Sequence, residues 1–248
     1  MGLIFGSLLR ADFTVLRRNA RTVILNIALP IVILIITGLH ANQKSADGFG
    51  ATAFDVGLAM TYGLLSSSLI GYSSTIARDR EAGVFQRLRV TPAPTWTIMC
   101  SRIMVQLILD LIMTVIVLII GGIIDGQTFP PAQWLLVSCV SVVGGAMFLA
   151  IAQALVGLVR STTMVNALGR ILYIIFLLIG VLGPNGLLGT TVKDVSAWTP
   201  AGAIINLYEG VLSLPQWNWL DTSGLIAMVI YIVGGGLAGI RWFRWDAR

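Results

Sequence analysis

The sequence predicts an all-α integral membrane protein with six transmembrane helices, and three observations carry that expectation. Hydrophobic residues make up 56% of the 248 positions and charged residues only 11%, with a mean hydropathy of +0.89. A soluble domain carries about 25% charged residues to cover its surface. Six stretches are long and apolar enough for a hydrocarbon core that needs about 20 residues. The basic residues gather on one side of those stretches. This composition excludes a disordered chain, a secreted disulfide scaffold and a free nucleic-acid-binding domain. The net charge of +5 reads as topology rather than a polyanion ligand.

At the N-terminus, Phe5, Leu9, Phe13, Leu16 and Ala20 recur at helical spacing, with Arg10, Thr14, Arg17 and Arg21 on an adjacent stripe. That pattern predicts an amphipathic helix over residues 1–22 lying in the membrane interface; the alternative is a basic flank that only sets topology. No charged n-region leads, so the start does not read as a cleaved signal. Gly6 stands where a myristoylation signal wants Ser or Thr.

The spans follow at 23–39, 52–77, 103–124, 134–159, 171–188 and 223–240. Each must be a helix, because lipid offers no partner to an open backbone. Arg10, Arg17, Arg18 and Arg21 precede the first; Arg78, Arg80, Arg87, Arg89 and Arg102 lie between the second and third. Arg160 and Arg170 flank the connection from the fourth to the fifth, and Arg241, Arg244 and Arg248 follow the sixth. Only Lys44 and Lys193 fall on the other side. The positive-inside rule then predicts that both termini are cytoplasmic, in a multi-pass protein expected in the plasma (inner) membrane. Residues 190–221 are moderately apolar but broken by Pro200, Glu209 and Pro215. A seventh span there would send the last three arginines outside. An external, re-entrant segment is therefore expected, in short helices dipping into the outer leaflet, with Trp198, Tyr208, Trp217 and Trp219 at the interface.

No catalytic constellation is present in the sequence. It contains no G-x-x-x-x-G-K-[ST] phosphate loop, so the chain is not expected to hydrolyse ATP by itself. It has no G-x-S-x-G elbow, and its single histidine, His40, cannot furnish a triad or a His-cluster metal site. Cys100 and Cys139 are too few for a disulfide framework or a zinc site. No bound metal or cofactor is expected.

The connection at 78–101 is the informative segment, opening Arg-Asp-Arg-Glu-Ala-Gly-Val-Phe-Gln-Arg-Leu-Arg-Val-Thr-Pro from Arg78 to Pro92. Val84, Leu88 and Phe85 make one apolar face, with Arg80, Arg87 and Arg89 elsewhere around the turn. Pro92 closes the helix, because its ring cannot continue the ladder. Such a helix is either a handle for a soluble partner or a solvated loop that enforces topology.

Here the sequence resembles a family. Arg80-Glu81-x-Gly83, then Arg87-Leu88, then Val90-Thr91-Pro92 is similar to the loop of ABC-2 type transporter permeases, in particular the branch with daunorubicin-resistance-type drug exporters and nodulation-type exporters. Gln86 stands where that family commonly has a second Glu. The resemblance covers nearly the whole chain and implies one transmembrane domain over 1–248. It also implies a coupling helix docked on a separate ATPase subunit through Arg80, Glu81, Gly83, Arg87, Leu88, Arg89, Thr91 and Pro92. Two permease chains, as a homodimer or heterodimer, would work with two ATPase chains, ATP and Mg being bound by the ATPase. The scarcity of charge in the spans favours a lipophilic or amphipathic cargo. By analogy a drug or antibiotic comes first, and a polysaccharide or lipid-linked glycan second. A proton-coupled secondary transporter using Asp110 is the rival of another class, although such folds are usually built from internal repeats and no convincing repeat is visible.

Within the spans, Asp110 with Gln106 one turn earlier must face protein or a water-filled cavity. It is either a proton relay or cation contact, or an interhelical hydrogen-bond partner, for example of Gln153. Tyr62, Ser66, Ser67 and Ser68 form a polar patch that lines a pathway or allows close packing. Gly144-Gly145 and the G-x-x-x-G of Gly235 and Gly239 are packing signals.

Overall fold

The computed structural model describes residues 6, 9–14, 20–41, 49–89, 95–125, 129–184, 189–214 and 217–242, and every regular element among them is helical. In chain order these are α1 (Ala20–Ala41), α2 (Phe49–Leu64), a π-helical segment (Leu65–Tyr72), α3 (Ser73–Glu81), α4 (Val84–Arg89), α5 (Thr95–Asp125), α6 (Pro131–Leu158), α7 (Thr162–Leu182), α8 (Thr190–Ser196), α9 (Pro200–Leu212) and α10 (Trp219–Trp242). The second, third and fourth run on as one helix, since Leu64, Tyr72 and Ser73 all keep right-handed helical angles.

Five helices among the described residues have the length and hydropathy to cross a membrane: Ala53–Glu81, Thr97–Ile123, Pro131–Leu158, Thr162–Leu182 and Trp219–Trp242. Helix α1 spans 22 residues, with a described apolar stretch of Ile27–Thr37. The central α2–π–α3 rod carries much of the core, with Met60, Leu64, Leu65, Leu69 and Ile76 fully buried. Helix α7 leaves Ile171, Ile174, Ile175 and Leu178 exposed, as expected for a helix facing lipid.

Three sequence expectations need correction. The fifth span, expected at 171–188, is α7 at Thr162–Leu182, and Arg170 lies inside it rather than beside it. Hydropathy marked the apolar part only; Arg170 is exposed, where a long side chain can carry its charge away from an apolar helix. The connection expected over 78–101 is shorter. Helix α3 runs to Glu81 and α5 begins at Thr95, so 95–101 is helical and only Ala82–Gly83 is a turn among the described positions. Residues 90–94, with Thr91 and Pro92, lie outside the described residues. The segment before the last span does form two short helices, and α9 is packed inside the bundle rather than on its surface. All of its residues except Glu209 are buried, against α2, α6, α7 and α10. Its Tyr208 is fully buried, whereas Trp198, Trp217 and Trp219 are exposed. At 13 residues α9 is about 20 Å long, too short to cross by itself.

Small residues make these approaches possible. A Cβ on Gly144 would meet Ile204 of α9, and one on Gly224 would lie 2.8 Å from the carbonyl oxygen of Ala203. The G-x-x-x-G of α10 packs on α6: Gly235 against the backbone of Ala150, Gly239 against Gln153. A Cβ at Gly235 would stand 2.9 Å from the Ala150 carbonyl, a backbone atom that cannot rotate away. Gly235→Val should therefore destabilise the α6–α10 pair by roughly 1–3 kcal/mol, read as a lower thermal midpoint in detergent. Gly236→Val, at a position with open space around it, is the control and should leave the midpoint unchanged.

Candidate functional site

The arginine-rich end of the bundle holds a charged hub built from consecutive residues at the end of α3, and each reaches a different helix. Asp79 pairs with Arg102 of α5. Arg80, only 4% exposed, donates from Nη1 to the Val156 carbonyl (2.8 Å) and from Nη2 to those of Val159 (2.8 Å) and Arg160 (2.7 Å). These are carbonyls at the C-terminal end of α6, left without helical partners and carrying the negative end of its dipole. Glu81 accepts from the backbone N–H of Thr162 at 2.9 Å, an unpaired donor in the first turn of α7. One dipeptide thus caps the end of α6 and the start of α7 across the extended link 159–161.

The hub continues into α4. Ala82 and Gly83 turn the chain, with Gly83 at φ +68°, a left-handed conformation that costs other residues about 1–2 kcal/mol. Gly83→Ala should lower stability by about that amount, visible as a reduced thermal midpoint with α4 otherwise intact. Beyond the turn Phe85 is 1% exposed, and the Arg102 guanidinium lies 5.1 Å from its ring centre. Leu88 packs half-buried against the same core. The apolar face of α4 is therefore turned into the chain, and its outward side presents Gln86 and Arg87. The helical residues 9–14 join here through Asp12, which accepts from Ser101 Oγ of α5 at 2.6 Å. Burial raises the Asp12 carboxyl above its ordinary value, with the Ser101 hydrogen bond and the Arg102 charge acting in the opposite direction.

A second cluster lies inside the bundle, at the midpoint of the 31-residue α5. Asp110 is 1% exposed and accepts from Ser67 Oγ (2.8 Å), Ser68 Oγ (2.7 Å) and Gln106 Nε2 (3.4 Å); Gln106 also donates to Ser67. The two serines are adjacent in sequence, and the wider turn of the π-helical segment lets both hydroxyls reach one carboxylate. A Cβ on Gly145 of α6 would lie 2.9 Å from Asp110 Oδ2, so the glycine admits the carboxylate between helices. Thr114 then donates to Ser141, and Ser141 shares a 2.7 Å hydrogen bond with Tyr208 of α9. Gln153, offered by the sequence as a partner for Asp110, accepts from Tyr72 instead (2.9 Å). Tyr62 donates to the Leu177 carbonyl of α7 (2.7 Å), and Ser66 is half-buried.

At the opposite end, Lys193 of α8, Asn206 and Glu209 of α9, and Asn218 and Asp221 before and within α10 line a small polar cleft. Burial raises the carboxyl of Glu209, the Lys193 charge opposing it. Asn206 Nδ2 is buried there with no hydrogen-bond partner among the described residues.

Of the residues singled out in the sequence, the structure brings Arg80, Glu81, Gly83, Arg87 and Leu88 together, and it groups Asp110 with Gln106. Arg89 ends α4. The sequence reading missed Asp79, Arg102, Thr162 and Asp12, whose partners lie up to 89 residues away. Asp79 stood beside the motif, and Arg102 had been counted only as a topological charge. No group of three or more His, Cys, Asp or Glu able to hold a metal occurs among the described residues.

The family model described as ABC-2 type transporter matches residues 4–206. Among curated proteins the chain is similar to "Putative transport permease YvfS" of Bacillus subtilis (strain 168), with 21% identity over 146 residues. That similarity covers 58% of this chain, and the chain spans 59% of the relative's length.

Proposed function

Because the chain belongs to the ABC-2 type transporter family, whose domain is the membrane component of an ABC transporter and not its ATPase, we propose that it is the permease subunit of an ATP-driven exporter. The observation that carries this reading is α4, a short helix tied by a two-residue turn to the most buried rod of the bundle, with Gln86 and Arg87 facing outward. A separate ATPase pressing on that outward side moves the rod, because Phe85 and Leu88 seat the helix on the core. Two permease chains and two ATPase chains make the working unit, with ATP and Mg on the ATPase. The bundle has two arrangements, and nucleotide shifts the balance through its different contacts with each.

In this reading α1 completes a six-span topology, both termini are cytoplasmic and the arginine-rich end faces the ATPase. Helices α8 and α9 form the external re-entrant segment. A lipophilic or amphipathic compound, a drug or antibiotic first, leaves past them and past the polar cleft of Lys193, Asn206, Glu209 and Asp221. Asp110 is a structural partner of the serines. The alternative cargo, a polysaccharide or lipid-linked glycan, uses the same machinery.

Orientation is tested by thiol labelling in a variant with Cys100 and Cys139 replaced by serine. Lys193→Cys should react with an impermeant reagent on intact cells, and Gln86→Cys and Arg160→Cys only after permeabilisation. Labelling of Gln86→Cys from outside would overturn the topology. The energy source is tested in inverted vesicles given a fluorescent amphipathic drug from outside, daunorubicin for the drug-exporter reading. Accumulation should require hydrolysable ATP and survive a proton uncoupler at constant ATP. Accumulation abolished by the uncoupler would favour proton coupling.

A further inference from the structure

Arg80 and Glu81, which the resemblance assigns to docking on the ATPase, both make hydrogen bonds within the chain, Arg80 buried and Glu81 exposed, and this points to a second task. Arg80 is buried, and its guanidinium is occupied by the carbonyls of Val156, Val159 and Arg160; Glu81 is bound to the N–H of Thr162. Asp79 is held by Arg102, whose guanidinium also lies over Phe85 of α4. We propose that Asp79, Arg80 and Glu81 are positioning residues that divide a displacement of α4 among α5, α6 and α7, so that the elbow between α6 and α7 moves with the handle. This rests on the reading of α4 as the site where an ATPase acts.

The geometry explains how the division works. Only Ala82 and Gly83 separate the handle from the hub, so a shift of α4 is passed to the end of α3 within two residues. There Arg80 and Glu81 make charge-assisted hydrogen bonds to helix ends, which are shorter and stronger than neutral ones, and Asp79 pairs with Arg102 within α5. Arg80 grips the last turn of α6 and Glu81 the first turn of α7, so the extended link between them cannot lag behind. Helix α7 carries the displacement along the bundle. Near its other end the Leu177 carbonyl accepts from Tyr62, and a Cβ on Gly180 would lie 2.9 Å from Ile205 of α9. A load entering at α4 thereby reaches the opposite face through α7 as well as through the α2–π–α3 rod.

The test reads motion and needs no cargo. In the intact permease–ATPase complex, with Cys100 and Cys139 replaced by serine, spin labels at Met164→Cys on α7 and Ile240→Cys on α10 report the separation of these exposed positions. The distance is compared without nucleotide and with ATP and vanadate. Glu81→Ala removes the acceptor, and Glu81→Gln restores a neutral one. Thr162→Pro removes the backbone donor together with the Thr162 hydroxyl that faces Glu81; Thr162 follows the cap residue Ser161, a first-turn position where proline is tolerated, and Ser161 already has the extended angles a following proline demands.

The wild-type complex should show a nucleotide-dependent change in distance. Glu81→Ala and Thr162→Pro should lose it while the ATPase still co-purifies in wild-type amounts, and Glu81→Gln should keep it. A change retained in both disrupting variants, or absent from the wild-type complex, would overturn the proposal. So would loss of the ATPase in Glu81→Ala but not in Thr162→Pro, which would make Glu81 a direct contact to the partner. A wild-type chain that brings no ATPase at all would instead remove the exporter reading on which the proposal rests.

Discussion

Replacing Asp110 by leucine should leave little folded protein in the membrane. The carboxylate is the common acceptor for Ser67, Ser68 and Gln106 in a site 1% exposed. Leucine accepts nothing, so these donors lose that partner, at about 1–3 kcal/mol for each buried group left unsatisfied. Its branched side chain also crowds the surface that Gly145 keeps open. Gln106 keeps Ser67 as a partner, so the two serines set a loss of roughly 2–6 kcal/mol, much of a typical margin of about 5–15 kcal/mol. Asparagine has nearly the same shape and keeps one acceptor, and the serine hydroxyls can rotate to meet its amide. Asp110→Asn should therefore accumulate to wild-type amounts and transport normally. Size-exclusion profiles of the two variants check the first expectation, and vesicle transport checks the second. An Asn variant with normal yield and normal ATP hydrolysis but no transport would make the ionised carboxylate functional and favour a proton-carrying role.

The second large effect belongs to the outward side of α4. Arg87 is exposed and its side chain is turned away from the core that Phe85 and Leu88 occupy. Arg87→Glu should leave insertion and thermal midpoint unchanged. If this side docks in the ATPase, reversing a charge that becomes buried there should weaken association by at least about 2 kcal/mol, roughly thirtyfold. Co-purification yield at limiting protein measures this. Leu88→Asp would lose the same association but would also disturb the internal packing of α4, so its thermal midpoint should fall as well. The difference between the two variants separates a docking defect from a folding defect.

The five span-length helices were legible in the sequence because hydropathy and the lipid's demand for closed backbone act locally. Their ends were less so. Arg170 read as a boundary because it is charged, yet it sits on the exposed side of α7; Thr95 to Ser101 read as loop although the helix outruns its apolar part. Helix α9 was legible as short helices interrupted by Pro200, but its burial was not. That burial depends on glycines of other helices, Gly57, Gly144 and Gly224, whose contacts are set by tertiary packing.

The candidate site divides in the same way. Glu81, Gly83 and Arg87 could be found as a motif, and the turn at Gly83 agrees with its glycine. The direction of each side chain could not. Periodicity placed Val84, Phe85 and Leu88 on one face without saying that this face meets the chain's own core. Arg80 looked available because it is charged and near a loop, and Glu81, which is exposed, gave no sign of its internal partner. Their partners are backbone groups near Val156 and Thr162, and backbone groups leave no trace in a residue pattern. Asp110 was recognisable as a buried acid that needs a partner, but the choice of Ser67 and Ser68 over Gln153 depends on a π-helical turn.

The most direct measurement of the central claim is purification of the tagged chain from its native membranes in mild detergent, followed by identification of what accompanies it and assay of ATP hydrolysis. The permease reading predicts a co-purifying subunit with a phosphate-loop motif, in a stoichiometric amount, and hydrolysis that disappears when Arg87→Glu is purified in its place. A chain that elutes without an ATPase, yet moves substrate in sealed vesicles on a proton gradient alone, would contradict it.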